Sequence, residues 1–329
     1  MRNIKPHRRP TFRLRSATFG LLVILLASAH GEGEGQSSQW FPLDIEHGNV
    51  RIATKVGGVP GYSLLDTSAS LHSINKHFIA AHELDLRSIG FSYVRGINNS
   101  KQRRRVGKVA VQMLGTVIDL RTITELDLGP EDIQIKFGAP FFESFIVQLD
   151  YPNQRMRLLD RGSMDLNKHK NVQSRREFRV GSPMVKVNLD GGESVWLTLD
   201  TSNGYGNDRG IVIERNVAAR AGWLNNLPIR ESQLMDVHGD AMRLEQFSLP
   251  SLKIGPYELG NVSVSVPALG ERALRFKRET TSGTNIKSTG RKSKGYISYD
   301  VLKHFVLTID YSGGDVHLSI PSPAQPIQG

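Results

Sequence analysis

Two carboxylates, Asp66 and Asp200, are the residues of this chain best placed by sequence to do chemistry. Asp66 stands in Ser63-Leu64-Leu65-Asp66-Thr67-Ser68-Ala69-Ser70, and Asp200 in Val195-Trp196-Leu197-Thr198-Leu199-Asp200-Thr201-Ser202. In each, the apolar residues read as the end of a buried strand and the small polar ones as a tight turn. A charge at the mouth of a buried strand is costly unless it is hydrogen-bonded or used. One such triplet is weak evidence, since Asp-Thr-Ser or Asp-Thr-Gly arises by chance in roughly one chain in ten of this length. Two copies, each after an apolar run, carry more weight. Two carboxylates brought together cannot both ionise readily, so they share a proton. Such a pair can hold a water: one member takes its proton as it attacks a carbonyl, and the other donates to the carbonyl oxygen.

The elements that must position these groups are strands. The 329 residues include 39% hydrophobic and 22% charged side chains, the balance of a globular protein with ample material for its cores. Short β-branched runs punctuated by Gly and Pro are frequent and helical periodicity is sparse, which predicts an all-β protein with few short helices. The N-terminus is expected to lie outside that fold. Arg2, Lys5, Arg8, Arg9, Arg13 and Arg15 precede an apolar run from Phe19 to Leu26 and a small-residue site at Ala27-Ser28-Ala29. This pattern predicts a signal peptide over 1–29, and its apolar run is too short to span a bilayer comfortably. The expected location is the periplasm or the exterior of a bacterial cell. Cleavage removes six of the 42 basic residues against 32 acidic ones, so the formal charge falls from +10 to +4. The high headline charge is therefore no argument for a nucleic-acid partner. With no Cys, a disulfide framework, a thiol nucleophile and a zinc ribbon are excluded.

Taken in order, 30–47 reads as a flexible leader and first strand, 48–160 as a first lobe, 161–180 as a connector, 181–320 as a second lobe and 321–329 as a tail. The first lobe is expected to carry a short helix from Asn75 to Leu86, a hairpin at Arg95-Gly96 and a basic tip at Lys101–Arg105. The second replays it, with a helix over about Glu214–Ala221 and a hairpin at Asp236–Asp240. The best sign of duplication is the pairing of Phe-Ile-Val-Gln-Leu-Asp-Tyr (145–151) with Phe-Val-Leu-Thr-Ile-Asp-Tyr (305–311). Asp66 and Asp150 are 84 residues apart, Asp200 and Asp310 are 110 apart, and a basic insertion at 271–294 accounts for most of the difference.

These residues resemble a known family. Leu64-Leu65-Asp66-Thr67-Ser68-Ala69-Ser70 is similar to the hydrophobic-hydrophobic-Asp-Thr-Gly-Ala-Ser signature of the retropepsin-like and pepsin-like aspartic peptidases, and Leu197–Ser202 is similar to a second copy. Their closing pattern, apolar-Gly-x-x-Phe/Leu before a strand ending Asp-Tyr, is matched by Phe137–Phe142 and less well by Tyr296–Leu302. The resemblance covers about 48–160 and 181–320. It implies two pseudo-symmetric β-barrel lobes, a substrate cleft between them and Asp66 and Asp200 as the catalytic pair. It further implies that Thr67, Ser68, Thr201 and Ser202 support the two loops, and that Gly96, Val237, His238 and Gly239 lie at flap tips. The implied substrate is a peptide or protein, processed by a monomer without cofactor or metal. Ser68 and Ser202 depart from the family's Gly, Asn203-Gly204-Tyr205-Gly206 departs from Ala-Ser, and Ser298 stands where a closing Gly is expected.

Plainer expectations stand beside these. An Asp after a strand commonly caps a turn, and Asp150 and Asp310 are expected to do so. His77 and His82 read as helix surface rather than as metal ligands. Gly204-Tyr205-Gly206 lacks the rest of a dinucleotide-binding pattern. Arg103–Arg105 and the basic insertion read as solvated loops, with weak attraction to anionic envelope surfaces as a minor expectation. The function classes in play are an aspartic endopeptidase, an inactive relative that binds extended peptides at strand edges, and a structural envelope protein.

Overall fold

The alternation of apolar and polar residues along Asn49–Val56 buries Val50, Ile52 and Val56 and exposes Lys55, as a strand against a core requires. A two-residue turn at Gly57-Gly58 reverses the chain. Both glycines have positive φ (58° and 86°), the conformation that such tight hairpin loops demand. In this computed structural model the described residues are 39–95, 101–177, 181–202, 210–235, 238, 240–271 and 292–321.

The first half comprises β1 (Phe41–Pro42), β2 (Asp44–Glu46), β3 (Asn49–Val56), β4 (Val59–Leu65), β5 (Ser73–Asn75), α1 (Lys76–Ala81), β6 (Arg87–Arg95), β7 (Lys101–Met113), β8 (Thr116–Leu126), β9 (Ile133–Phe137), α2 (Ala139–Phe142), β10 (Ile146–Asp150) and β11 (Arg155–Leu159). After α3 (Leu166–His169), the second half comprises β12 (Ser174–Arg176), β13 (Pro183–Leu189), β14 (Glu193–Leu199), β15 (Ile211–Ile213), α4 (Arg215–Arg220), α5 (Trp223–Asn226), β16 (Arg230–Met235), β17 (Ala241–Ile254), β18 (Tyr257–Pro267), β19 (Gly295–Ile297), α6 (Tyr299–Leu302), β20 (Val306–Asp310) and β21 (Asp315–Ser319). The protein is mostly β, with few short helices.

The two halves share one topology. The first sheet runs β2-β3-β4-β9-β5-β8-β7-β6 and the second β12-β13-β14-β19-β15-β18-β17-β16, the same order strand for strand. Pairing of β3 with β7 closes six strands of the first sheet into a barrel, and pairing of β13 with β17 closes the matching six of the second. A third sheet, β1-β11-β10-β20-β21, joins the halves through the antiparallel pair β10–β20, where the Gln148 side chain donates to Thr308 Oγ1 at 2.8 Å. The two heptapeptides that mark the duplication are thus direct strand partners. One apolar cluster, including Phe142, Leu149, Leu307 and Tyr311, runs through this junction.

Several sequence expectations are corrected. The helix expected over Asn75–Leu86 is only α1. Asn75 caps it by accepting the His77 N–H at 3.2 Å, and Glu83, at φ 48°, breaks it before Leu86. The basic run Lys101–Arg105 is not a hairpin tip or a solvated loop but part of β7, paired with β6 from Arg95↔Lys101 to Phe91↔Arg105. Cations are tolerated there because Arg103 lies 3.7 Å over the Phe91 ring, Lys101 lies 4.6 Å over Tyr93, and Arg105 pairs with Glu125 at 2.7 Å. Within the stretch read as the connector, Ser174–Arg176 forms an edge strand of the second sheet. At the end of the insertion, Ser293 is buried and Lys294 pairs with Glu214 at 2.7 Å. The expected signal peptide, most of the expected leader, the body of the basic insertion and nearly all of the tail lie outside the described residues. No helix among the described residues is long and apolar enough to cross a membrane.

Candidate active site

Asp66 and Asp200 follow equivalent strands, β4 and β14. Each backbone N–H donates to an equivalent carbonyl, Asp66 to Phe137 at 2.9 Å and Asp200 to Ile297 at 3.0 Å. The parallel pairings Leu65↔Phe137 and Leu199↔Ile297 set this register in the two barrels. The loops that follow are tied across the junction by their threonines. Thr67 Oγ1 donates to Leu199 O at 2.7 Å, and Thr201 Oγ1 donates to Leu65 O at 2.5 Å. Each hydroxyl also accepts the other threonine's backbone N–H, at 3.1 Å and 3.3 Å. Tyr311, from the last turn of the second half, donates to Thr67 O at 3.2 Å and stacks on Phe142.

The two serines of the Asp-Thr-Ser triplets act differently. Ser68 turns onto the pair: its hydroxyl and its N–H both donate to Asp66 Oδ1 at 2.8 Å, beside the Ala69 N–H at 3.0 Å. Ser202 gives its N–H to Asp200 Oδ1 at 3.2 Å but turns its hydroxyl to Asn49 Oδ1 at 3.2 Å. The second oxygen of Asp66 faces Lys136 Nζ at 3.2 Å, with both side chains at least nine-tenths buried. Lys136 is the residue that sequence missed. It reads as an ordinary position in Gln134-Ile135-Lys136-Phe137, and only the pairing of β9 with β4 brings it to Asp66.

Asp66 is buried, whereas Asp200 retains some accessible surface. Burial pushes the Asp200 carboxyl up to about 8, and the negative charge of Asp66 adds to the rise. The Ser202 N–H, the Lys136 ammonium and the Ser68 hydroxyl pull it partly back. Tyr151 and Tyr296 are raised, first by burial and then by the Asp200 charge, so both stay protonated phenols beside the pair. The Tyr151 hydroxyl is buried and has no hydrogen-bond partner among the described residues.

Beneath the first loop, a Cβ on Gly138 would lie 2.5 Å from Leu71 O and 2.7 Å from Ala69 O, so any side chain there would displace the loop that carries Asp66. The Gly138 N–H donates to His72 Nδ1 at 3.3 Å, which requires that nitrogen to be unprotonated. Burial lowers His72 from 6.5 to about 4. The unfolded chain therefore takes up a proton in this window that the folded one refuses, and stability falls as pH drops from 6.5 towards 4. The loss is at most about 3 kcal/mol. His72→Gln keeps an acceptor but cannot titrate, so its denaturation midpoint should fall less between neutral and acid pH than the parent's. An equal fall in both would refute this role for His72.

Of the expected flap residues, Gly96, Val237 and Gly239 lie outside the described residues. His238 lies 3.0 Å from Arg104 Nη2 through Nδ1 and 3.2 Å from Val94 O through Nε2. The hairpins β6–β7 and β16–β17, one from each half, therefore meet at this histidine. Asn203–Asn207 also lie outside the described residues, and Ser298 is buried with no partner for its hydroxyl among the described residues. Asp150 and Asp310 cap turns, accepting the Asn153 and Gly313 N–H groups at 3.2 Å and 3.1 Å. No cluster of three or more His, Asp or Glu among the described residues is placed to hold a metal ion. No protein-family model matches the chain, nor does any curated protein, and its function is therefore read from this site.

Proposed function

We propose that the protein is an aspartic endopeptidase with the bilobal retropepsin-like fold, exported to the periplasm or the cell exterior, which hydrolyses peptide bonds with Asp66 and Asp200. The observation that carries this is the placement of one carboxylate at the same strand end of two topologically identical barrels, with Thr67 and Thr201 cross-bonded between their loops. The electrostatic coupling of Asp200 to Asp66 fits a pair that shares one proton.

In the proposed reaction, water adds to the carbonyl carbon. Its proton passes to the ionised carboxylate, and the carboxylic acid gives its own proton to the carbonyl oxygen. The resulting diol collapses by cleavage of the C–N bond. The leaving amine receives the proton taken from water, and a diol proton restores the acid. Ser68 donates to Asp66 through both hydroxyl and N–H, and its hydroxyl also acts on Asp200, so it supports negative charge on the pair.

The test is hydrolysis of a mixed peptide library from about pH 3 to about pH 9, by the full chain and by the form lacking 1–29. Asp66→Asn and Asp200→Asn should each lower the rate by about 10³-fold or more. Cleavage that survives both substitutions would exclude the aspartic mechanism. Peptide binding without cleavage in either form would favour the inactive relative.

A further inference from the structure

Burial of an ammonium group costs several kcal/mol of lost hydration unless a partner compensates it, so a buried lysine is paired, used or both. Lys136 lies in β9 between Ile135 and Phe137, each almost fully buried, and is itself only 8% exposed. The pairings Leu64↔Lys136 and Ser73↔Lys136 hold it between β4 and β5, with Nζ 3.2 Å from Asp66 Oδ2. The duplicated topology supplies its counterpart. Since Leu65↔Phe137 corresponds to Leu199↔Ile297, the preceding pair Leu64↔Lys136 corresponds to Thr198↔Tyr296. Equivalent positions thus place a cation beside Asp66 and a phenol on the side of Asp200.

We propose that Lys136 is a positioning residue that breaks the symmetry of the carboxylate pair, holding the negative charge on Asp66 and leaving the shared proton on Asp200. The proposal rests on the reading of these carboxylates as the reacting pair, and it assigns their roles. Asp66 takes the proton from water, and Asp200 protonates the carbonyl oxygen. The hydrogen bonds agree with this division. Asp66 Oδ1 accepts three donors while its Oδ2 faces the ammonium; these interactions favour a full charge. The upward shift of Asp200 to about 8 points the same way. Besides burial, the charge of the pair raises the phenols of Tyr151, Tyr296 and Tyr311, on which Tyr299, Glu177, and Glu143 with Arg176, act in turn. His72 lies under the Asp66 loop, bonded to the Gly138 N–H. Lys136 is the one basic side chain among the groups that act on Asp200, and it pairs with Asp66. Without it, a buried pair takes up its second proton at higher pH, so both limbs of the pH profile should move up by about 1–3 pH units.

The experiment uses the full chain with Lys136→Met, Lys136→Gln and Lys136→Arg. Two quantities are measured: kcat/KM against pH on a cleaved peptide, and the titration of carbon-13 aspartate carboxyl signals by NMR. Lys136→Met and Lys136→Gln should cut kcat/KM at about pH 5 by tenfold or more relative to its maximum, and Lys136→Arg should restore the parent's profile. An equal loss at every pH would reduce Lys136 to a packing role and overturn the proposal. In the NMR arm, a carboxyl with its midpoint near 8 should be present in the parent and missing from Asp200→Asn. Its survival in Asp200→Asn, or its absence from the parent, would overturn the proton assignment even if no Lys136 variant folds. If the parent cleaves no peptide, the peptidase reading fails, and the titration still decides which carboxylate holds the proton.

Discussion

Asp200→Asn is expected to be inactive and, at about pH 8, more stable than the parent. The Asp200 carboxyl titrates near 8 in the fold against an ordinary value of 3.8. Across that window the folded chain retains a proton that the unfolded chain releases. Stability therefore falls as pH rises from 3.8 towards 8, the reverse of an ordinary salt-bridged aspartate. Asn cannot ionise, so the variant escapes this cost while it keeps a similar shape. The gain should be at most about 5 kcal/mol at alkaline pH and should vanish near pH 4. Denaturant unfolding of the two proteins at both pH values measures it. A variant less stable than the parent at alkaline pH would show that Asp200 is held as a stabilised carboxylate, which conflicts with its proposed role as the acid. The same substitution removes a proton donor, so hydrolysis should be lost at every pH. A residue whose removal stabilises the fold but abolishes activity is maintained for function.

Thr67→Val or Thr201→Val should cost about 2–5 kcal/mol and most of the activity. Valine keeps the shape but has no hydroxyl. Thr67→Val strands Leu199 O and the Thr201 N–H, and Thr201→Val strands Leu65 O and the Thr67 N–H. Thr67 and Thr201 are almost fully buried, so water cannot replace the lost bonds, and each orphaned group costs about 1–3 kcal/mol. These bonds join the two halves at the residues next to the carboxylates. Their loss should therefore shift one Asp against the other, and a displacement of about 1 Å is enough to lower a rate by about 10²-fold. Thr→Ser keeps the hydroxyl and should retain most of both properties. Unfolding free energies within about 0.5 kcal/mol of the parent's in both valine variants would show that these bonds do not tie the halves together.

Local chemistry made much of this protein legible in sequence. The Asp-Thr-Ser triplets stand out because each ends an apolar run, and the duplication stands out because its heptapeptides keep strand periodicity and a closing Asp-Tyr. What sequence misplaced was non-local. Lys101–Arg105 looked like a solvated tip because cations on both faces hide the alternation of a strand. Stacking on Phe91 and Tyr93, supplied by the neighbouring strand, makes that strand tolerable. The two serines looked alike in sequence, yet the Ser68 hydroxyl turns to Asp66 and the Ser202 hydroxyl to Asn49.

Sequence by itself determined the β class, the repeat and the residues that end β4 and β14, because strand periodicity, turn composition and apolar runs are written over a few neighbouring positions. Tertiary structure decided which groups meet. Lys136 is 70 residues from Asp66 in the chain, and Thr67 is 134 from Thr201. Only parallel pairing of β9 with β4 and the joining of two barrels through β10 and β20 close those gaps. The charge on a buried carboxylate depends on every such neighbour, so the proposed division of labour between Asp66 and Asp200 rests on the fold rather than on either motif.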